Sequence, residues 1–193
     1  MKKHEVKPFI NTVIKDNIYR ISDVTGYSVI SICEDLCTHA IKSDLAKELS
    51  SYFKRSFVID GMTFNANGSI KKFEPLSTDN ERITMTLNRE VYDYFYDLSY
   101  AIGCSVAKVV AYAVEKSMND FDFLNRYIEQ FLNKKVSKEV KGELLKIVKT
   151  VNKGNVDEEY NLVSLLLYIA DEYRRFDEGV KGVLKDAYLQ EGV

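Results

Sequence analysis

Glu81–Met118 reads ERITMTLNREVYDYFYDLSYAIGCSVAKVVAYAVEKSM. In Arg82–Leu87 apolar Ile83, Met85 and Leu87 alternate with polar Arg82, Thr84 and Thr86. A period of two predicts a strand with one buried face. Asn88 follows as an N-cap, with Glu90 adding negative charge to the first turn. Val91, Phe95, Leu98 and Ile102 then recur at helical spacing up to Gly103, which suits the left-handed end of a helix. Ser105 caps a second helix whose apolar face is Val106, Val109, Val110, Ala113, Val114 and Met118. A lone strand leaves its backbone groups unpaired, so this unit needs a second one.

The N-terminus supplies a candidate. With Gly26 set on Gly103, Asn11 falls on Asn88, Asp16 on Asp93, Tyr19 on Tyr96, Ser22 on Ser99 and Ser28 on Ser105. Ile14, Ile18 and Ile21 match the first apolar stripe, and Val29, Ile32, Cys33, Leu36 and Cys37 match the second. Upstream, Val6, Pro8 and Ile10 take the inner strand positions and Glu5, Lys7 and Phe9 the outer ones. Pro8 cannot donate to a ladder, so this strand is expected to be short or to have a gap there. The tether from Ser43 to Asn80 is long enough for Val6–Ile10 to pair antiparallel with Ile83–Leu87 of the same chain, a pseudo-dimer.

Strand, helix, Gly-x-Ser and helix together resemble the ribbon–helix–helix superfamily of DNA-binding proteins, most clearly over residues 81–118 and more weakly over 4–42. The resemblance implies that a two-stranded ribbon enters the major groove and that the second helix holds a phosphate at its N-terminus. Carried over by position, Arg82, Thr84 and Thr86 face bases, with Lys7 on the other strand; Ser105, Lys108 and Ser28 sit at the phosphate-binding helix starts. The implied function is sequence-specific binding of double-stranded DNA, as a transcriptional repressor of bacterial, phage or plasmid origin. A plasmid partition or relaxosome accessory role is the alternative. Two other readings stay open. Ile21–Leu36 also fits a helix-turn-helix, although its reading helix would offer Glu34 and Asp35 to phosphate. The central piece also fits an ordinary β-α-α segment of a larger domain.

Charge argues for caution with DNA. The net charge is −2, and Glu81–Asp120 carries 4 basic against 6 acidic residues. Any basic footprint must therefore be local. This balance motivates a second class of function, a protein–protein interaction scaffold without DNA binding. Nothing in the chain points to an enzyme or a cofactor. Cys33, Cys37 and Cys104 form no disulfide framework, and Cys33 with Cys37 is expected to be a pair of buried thiols rather than a metal site. No apolar run suggests a signal or a span, so a cytoplasmic location without membrane contact is expected.

The expected fold is mainly α with a short β ribbon, divided into 1–43, 44–80, 81–119 and 120–193: two ribbon–helix–helix-like repeats, a small β-hairpin insert between them, and a C-terminal helical bundle. In the insert, Leu45, Leu49, Tyr52 and Phe53 suggest a short helix or an extension of the helix before it. Asp60-Gly61 and Asn67-Gly68 are turn signals in a hairpin or meander whose last strand carries Lys71 and Lys72, and Pro75–Asn80 is a linker. Tyr92, Tyr96 and Tyr100 add a second stripe to the central helix, which calls for cover from the linker or the C-terminal region. After Asp120 the pattern predicts four helices, the third built on LVSLLLYIA at Leu162–Ala170, available for self-association or a protein partner.

Overall fold

In a computed structural model, residues 3–59, 61–68, 71–74, 79–135, 138–154 and 164 are described. They are mainly helical, with small antiparallel strand pairs. Strands β1 (His4–Val6) and β2 (Phe9–Asn11) precede helices α1 (Thr12–Thr25) and α2 (Val29–Lys42). A connecting stretch holds α3 (Leu45–Leu49), one 3-10 turn and the hairpin β3 (Phe57–Ile59) and β4 (Met62–Phe64). Strands β5 (Asn80–Arg82) and β6 (Met85–Leu87) lead into α4 (Arg89–Ile102) and α5 (Val106–Met118), followed by α6 (Phe121–Lys135) and α7 (Lys138–Gly154).

The N-terminal and central strands pair with each other inside the one chain. β1 runs antiparallel to β6, with His4, Glu5 and Val6 opposite Leu87, Thr86 and Met85. β2 runs antiparallel to β5, with Phe9, Ile10 and Asn11 opposite Arg82, Glu81 and Asn80. Both pairs lie in one unbroken register, which places Lys7 opposite Thr84 and Pro8 opposite Ile83. The expected single strand Arg82–Leu87 is instead two short ones, split at Ile83 and Thr84. Pro8 is the physical reason: its carbonyl accepts from the Ile83 N–H at 3.1 Å, but its ring nitrogen can donate nothing back.

One face of this ribbon is core. Val6, Ile10, Ile83, Met85 and Leu87 are buried, while Glu5, Lys7, Phe9, Arg82 and Thr84 are exposed and Thr86 is half-buried. Each buried aliphatic side chain contributes roughly 1.5–3 kcal/mol. The helices cover the inner face crosswise: α5 lies on β2, α2 lies on β6, and α2 packs along α5. Each second helix therefore sits on the strand of the other stretch.

Local signals set the helix ends. The Asn11 side chain accepts from the Val13 and Ile14 N–H groups, and that of Asn88 from Val91 N–H. Ser28 Oγ accepts from Ser31 N–H at 3.1 Å and Ser105 Oγ from Lys108 N–H at 3.4 Å. Gly26 and Gly103, just past the first helices, have φ of 67° and 75°, a conformation that only glycine takes cheaply. α4 and α5 meet at 110° across that corner.

The connecting stretch contains a separate short helix, not an extension of α2, and the expected hairpin. Phe53 is fully buried and meets Phe57 and Phe64 edge-on. Lys71 and Lys72 are not on a strand: Lys71–Glu74 is irregular, Lys72 pairs with Glu74, and the hairpin closes with Phe64. The expected linker also ends sooner, because Asn80 already belongs to β5.

Contacts divide the chain into two compact units, Met1–Ser22 with Tyr27–Leu124, and Asp23–Gly26 with Asn125–Val193. In the second, Ile128 and Phe131 are buried while Ile147 of α7 is exposed. The last two expected helices, including Leu162–Ala170, lie outside the described residues apart from Ser164. Among the described residues no single helix is long and apolar enough to cross a membrane.

Candidate functional site

The outer face of the ribbon presents three rungs: Glu5 opposite Thr86, Lys7 opposite Thr84, and Phe9 opposite Arg82. Strand alternation requires this, since burying Val6, Ile10, Met85 and Leu87 turns the intervening side chains outward. Four of the expected contact residues, Lys7, Arg82, Thr84 and Thr86, are thereby brought to one surface. Their neighbours were less legible. The Arg82 guanidinium lies 4.7 Å from the centre of the Phe9 ring, a cation–π contact that holds the arginine over the strand opposite. Lys7 Nζ pairs with Glu5 at 2.8 Å. This face thus carries two cations and one anion, all within reach of solvent.

Ser28 and Ser105 lie elsewhere, at the N-termini of α2 and α5, where their hydroxyls are occupied as caps. Lys108 is exposed in the first turn of α5. Two further cations flank that corner. Lys54 and Arg55 N–H groups both donate to the Ala101 carbonyl, at 2.8 and 3.1 Å, and Arg55 Nη1 donates to the Tyr100 carbonyl at 2.7 Å. Both residues thus satisfy carbonyls that the end of α4 leaves open. The Cys104 thiol is pushed up to about 11 by burial, against the opposing pull of Lys108 and Lys54. Lys54 and Arg55 therefore lie beside the Gly103 corner between α4 and α5, with Lys108 in the first turn of α5. Lys54 and Arg55 carry no sequence signal for this role, because they belong to the connecting stretch.

The tyrosine stripe on α4 is covered in part, and from an unexpected side. Tyr92 stacks on His4 with ring centres 4.2 Å apart, and Arg55 lies 4.6 Å over the Tyr100 ring. Arg55 belongs to the connecting stretch before the hairpin and His4 to the ribbon, neither of them in the linker or the C-terminal region. Tyr96 and Tyr100 remain more than half exposed.

Two acidic side chains of the second helices, Glu34 and Glu115, are engaged inside the fold. Glu34 Oε1 accepts from the Asn88 backbone and side-chain N–H groups, at 3.1 and 2.8 Å. Glu115 Oε1 accepts from Asn11 N–H at 2.8 Å, and burial holds its carboxyl above the ordinary carboxylate range. Cys33 and Cys37 are buried, and burial pushes the Cys33 thiol up to about 12 and that of Cys37 well above its usual value. Thiols in that state are poor nucleophiles. His39 meets Asp120 at 2.9 Å and stacks on Phe123 at 3.8 Å. Comparison with family models, with curated proteins and with solved structures finds no match to this chain.

Proposed function

We propose that this chain is a sequence-specific double-stranded-DNA-binding protein of ribbon–helix–helix type, acting as a transcriptional repressor, with both copies of the unit in one polypeptide. The observation that carries this reading is the intramolecular ribbon: one face buried, the other exposing Lys7, Arg82 and Thr84 with Thr86 beside them. A two-stranded ribbon fits the major groove, and these side chains are hydrogen-bonding partners for base edges. The N-termini of α2 and α5 supply candidate phosphate contacts, strengthened at α5 by Lys108 in its first turn and by Lys54 beside the preceding corner.

The pairing of β1 and β2 with the central strands also favours a ribbon over a helix-turn-helix for the N-terminal copy. In the latter, α2 would lie free to read bases, whereas here it covers β6 and packs on α5. The negative total charge is compatible with a small footprint, because Glu34 and Glu115 are turned to internal hydrogen bonds.

Electrophoretic mobility shift with duplex fragments from the region upstream of the chain's own gene is the direct test. A fragment retained against excess unrelated duplex, with affinity falling steeply as salt rises, is the expected result. Equal, weak binding to every fragment would reject sequence recognition and favour the protein-scaffold alternative.

A further inference from the structure

Two independent facts meet on the ribbon. The spacing that sets Gly26 on Gly103 also sets Glu5 on Arg82, Lys7 on Thr84 and Phe9 on Thr86. The observed register joins Glu5 to Thr86 and Phe9 to Arg82, with Lys7 facing Thr84. Exchanging the two strands therefore turns the Glu5–Thr86 rung into the Arg82–Phe9 rung, about an axis through Lys7 and Thr84. In a ribbon made from two identical chains these end rungs would be the same by symmetry. Here they are opposite in charge.

The chemistry of the two ends differs accordingly. At one end a guanidinium is steadied over the Phe9 ring. Its fork of donors matches the O6 and N7 acceptors of guanine. At the other end stands the Glu5 carboxylate, which only accepts hydrogen bonds and so matches the N4 amino group of cytosine. Glu5 also neutralises the central Lys7, which weakens attraction to phosphate at its own end. The exposed face is thus polar along its length, basic at Arg82 and acidic at Glu5.

Building on the DNA-binding function proposed above, we infer that the ribbon takes a non-palindromic duplex site in a single orientation, with guanine at the Arg82–Phe9 end and a cytosine amino group at the Glu5–Thr86 end. Glu5 is then a specificity-determining residue, excluding a second guanine half-site.

The full chain is to be used to select from a pool of random-sequence duplexes. The winning site is then compared with two palindromes, each built by repeating one of its halves. The expected winner lacks dyad symmetry, and both palindromes bind at least about tenfold more weakly, as one lost bidentate base contact implies. Glu5→Arg is expected to move the preference toward the palindrome built from the Arg82 half. A palindromic winner for the unaltered chain overturns the inference while leaving DNA binding in place. Failure to enrich any sequence overturns the DNA-binding proposal itself. An asymmetric winner that Glu5→Arg leaves unchanged removes Glu5 from its assigned role.

Discussion

Asn11 and Glu115 are 104 residues apart in sequence, yet the backbone N–H of the first donates to the carboxyl of the second at 2.8 Å. Asn88 and Glu34 make the matching contact in the other direction. Each bond fastens the end of one strand stretch to the second helix of the other. The two braces are not exact copies: Glu34 corresponds by spacing to Ala111, one helical turn before Glu115.

Glu115 makes stability depend on pH. Its folded carboxyl lies above the ordinary value of 4.5 because burial outweighs the Asn11 hydrogen bond. The folded state therefore holds the proton longer than the unfolded chain. This contribution falls as pH rises from about 4.5 through the folded value, and is constant beyond it. Glu115→Gln is expected to remove that slope and to raise the melting temperature at neutral pH relative to the unaltered chain. Glu115→Ala leaves the Asn11 N–H without its acceptor and should cost about 1–3 kcal/mol. Denaturant unfolding at pH 4 and pH 7 compares the three.

Arg82→Ala should cost about 1–3 kcal/mol of specific DNA binding and relax base preference, while Ser105→Ala should weaken binding evenly across sequences. Phe9→Ala takes away the ring beneath the guanidinium and is expected to lose about 0.5–1 kcal/mol of the same specific term. Titration of the selected duplex and of unrelated duplex by fluorescence anisotropy separates these effects. Unchanged specific affinity in Arg82→Ala would show that the ribbon is not the reader.

Removing residues 1–11 strips β1 and β2 from the ribbon and leaves β5 and β6 with open edges over Ile83, Met85 and Leu87. Exposed edges of this kind recruit another chain. The truncated protein is expected to dimerise or aggregate, and light scattering gives its mass. A stable, well-folded monomer would contradict the role assigned to the intramolecular pairing.

His39→Ala deletes both the contact to Asp120 and the stack on Phe123. A loss of about 1–2 kcal/mol is expected, the sum of a partly exposed charged hydrogen bond and a ring contact. The effect should be local. Amide exchange in the first turn of α6 should quicken more than exchange in α4.

The order of elements in residues 4–42 and 81–118 was legible because it depends on short-range rules. Alternation of Ile83, Met85 and Leu87 picks the buried strand face whatever the partner is. Asn88, Ser28 and Ser105 cap because their own backbones place a side-chain oxygen over the next turn. Gly26 and Gly103 turn left-handed because any other residue would pay to do so. Even the gap at Pro8 follows from a missing N–H.

Tertiary structure decided whatever joins distant residues. The crosswise seating of α5 on β2 and α2 on β6 and the Glu34 and Glu115 braces have no trace in local pattern, and the pairing of the two strand stretches was expected only from their repeat and the length of the tether. Lys54 and Arg55 reach the corner between α4 and α5 by donating to the Ala101 and Tyr100 carbonyls. Lys71 and Lys72 lie in an irregular stretch and not on the strand expected from their neighbours. Propensity and periodicity act over a few residues, so they determined which face of each element is apolar. Which faces meet was settled by packing, since only the assembled core brings together groups some 50 to 100 residues apart.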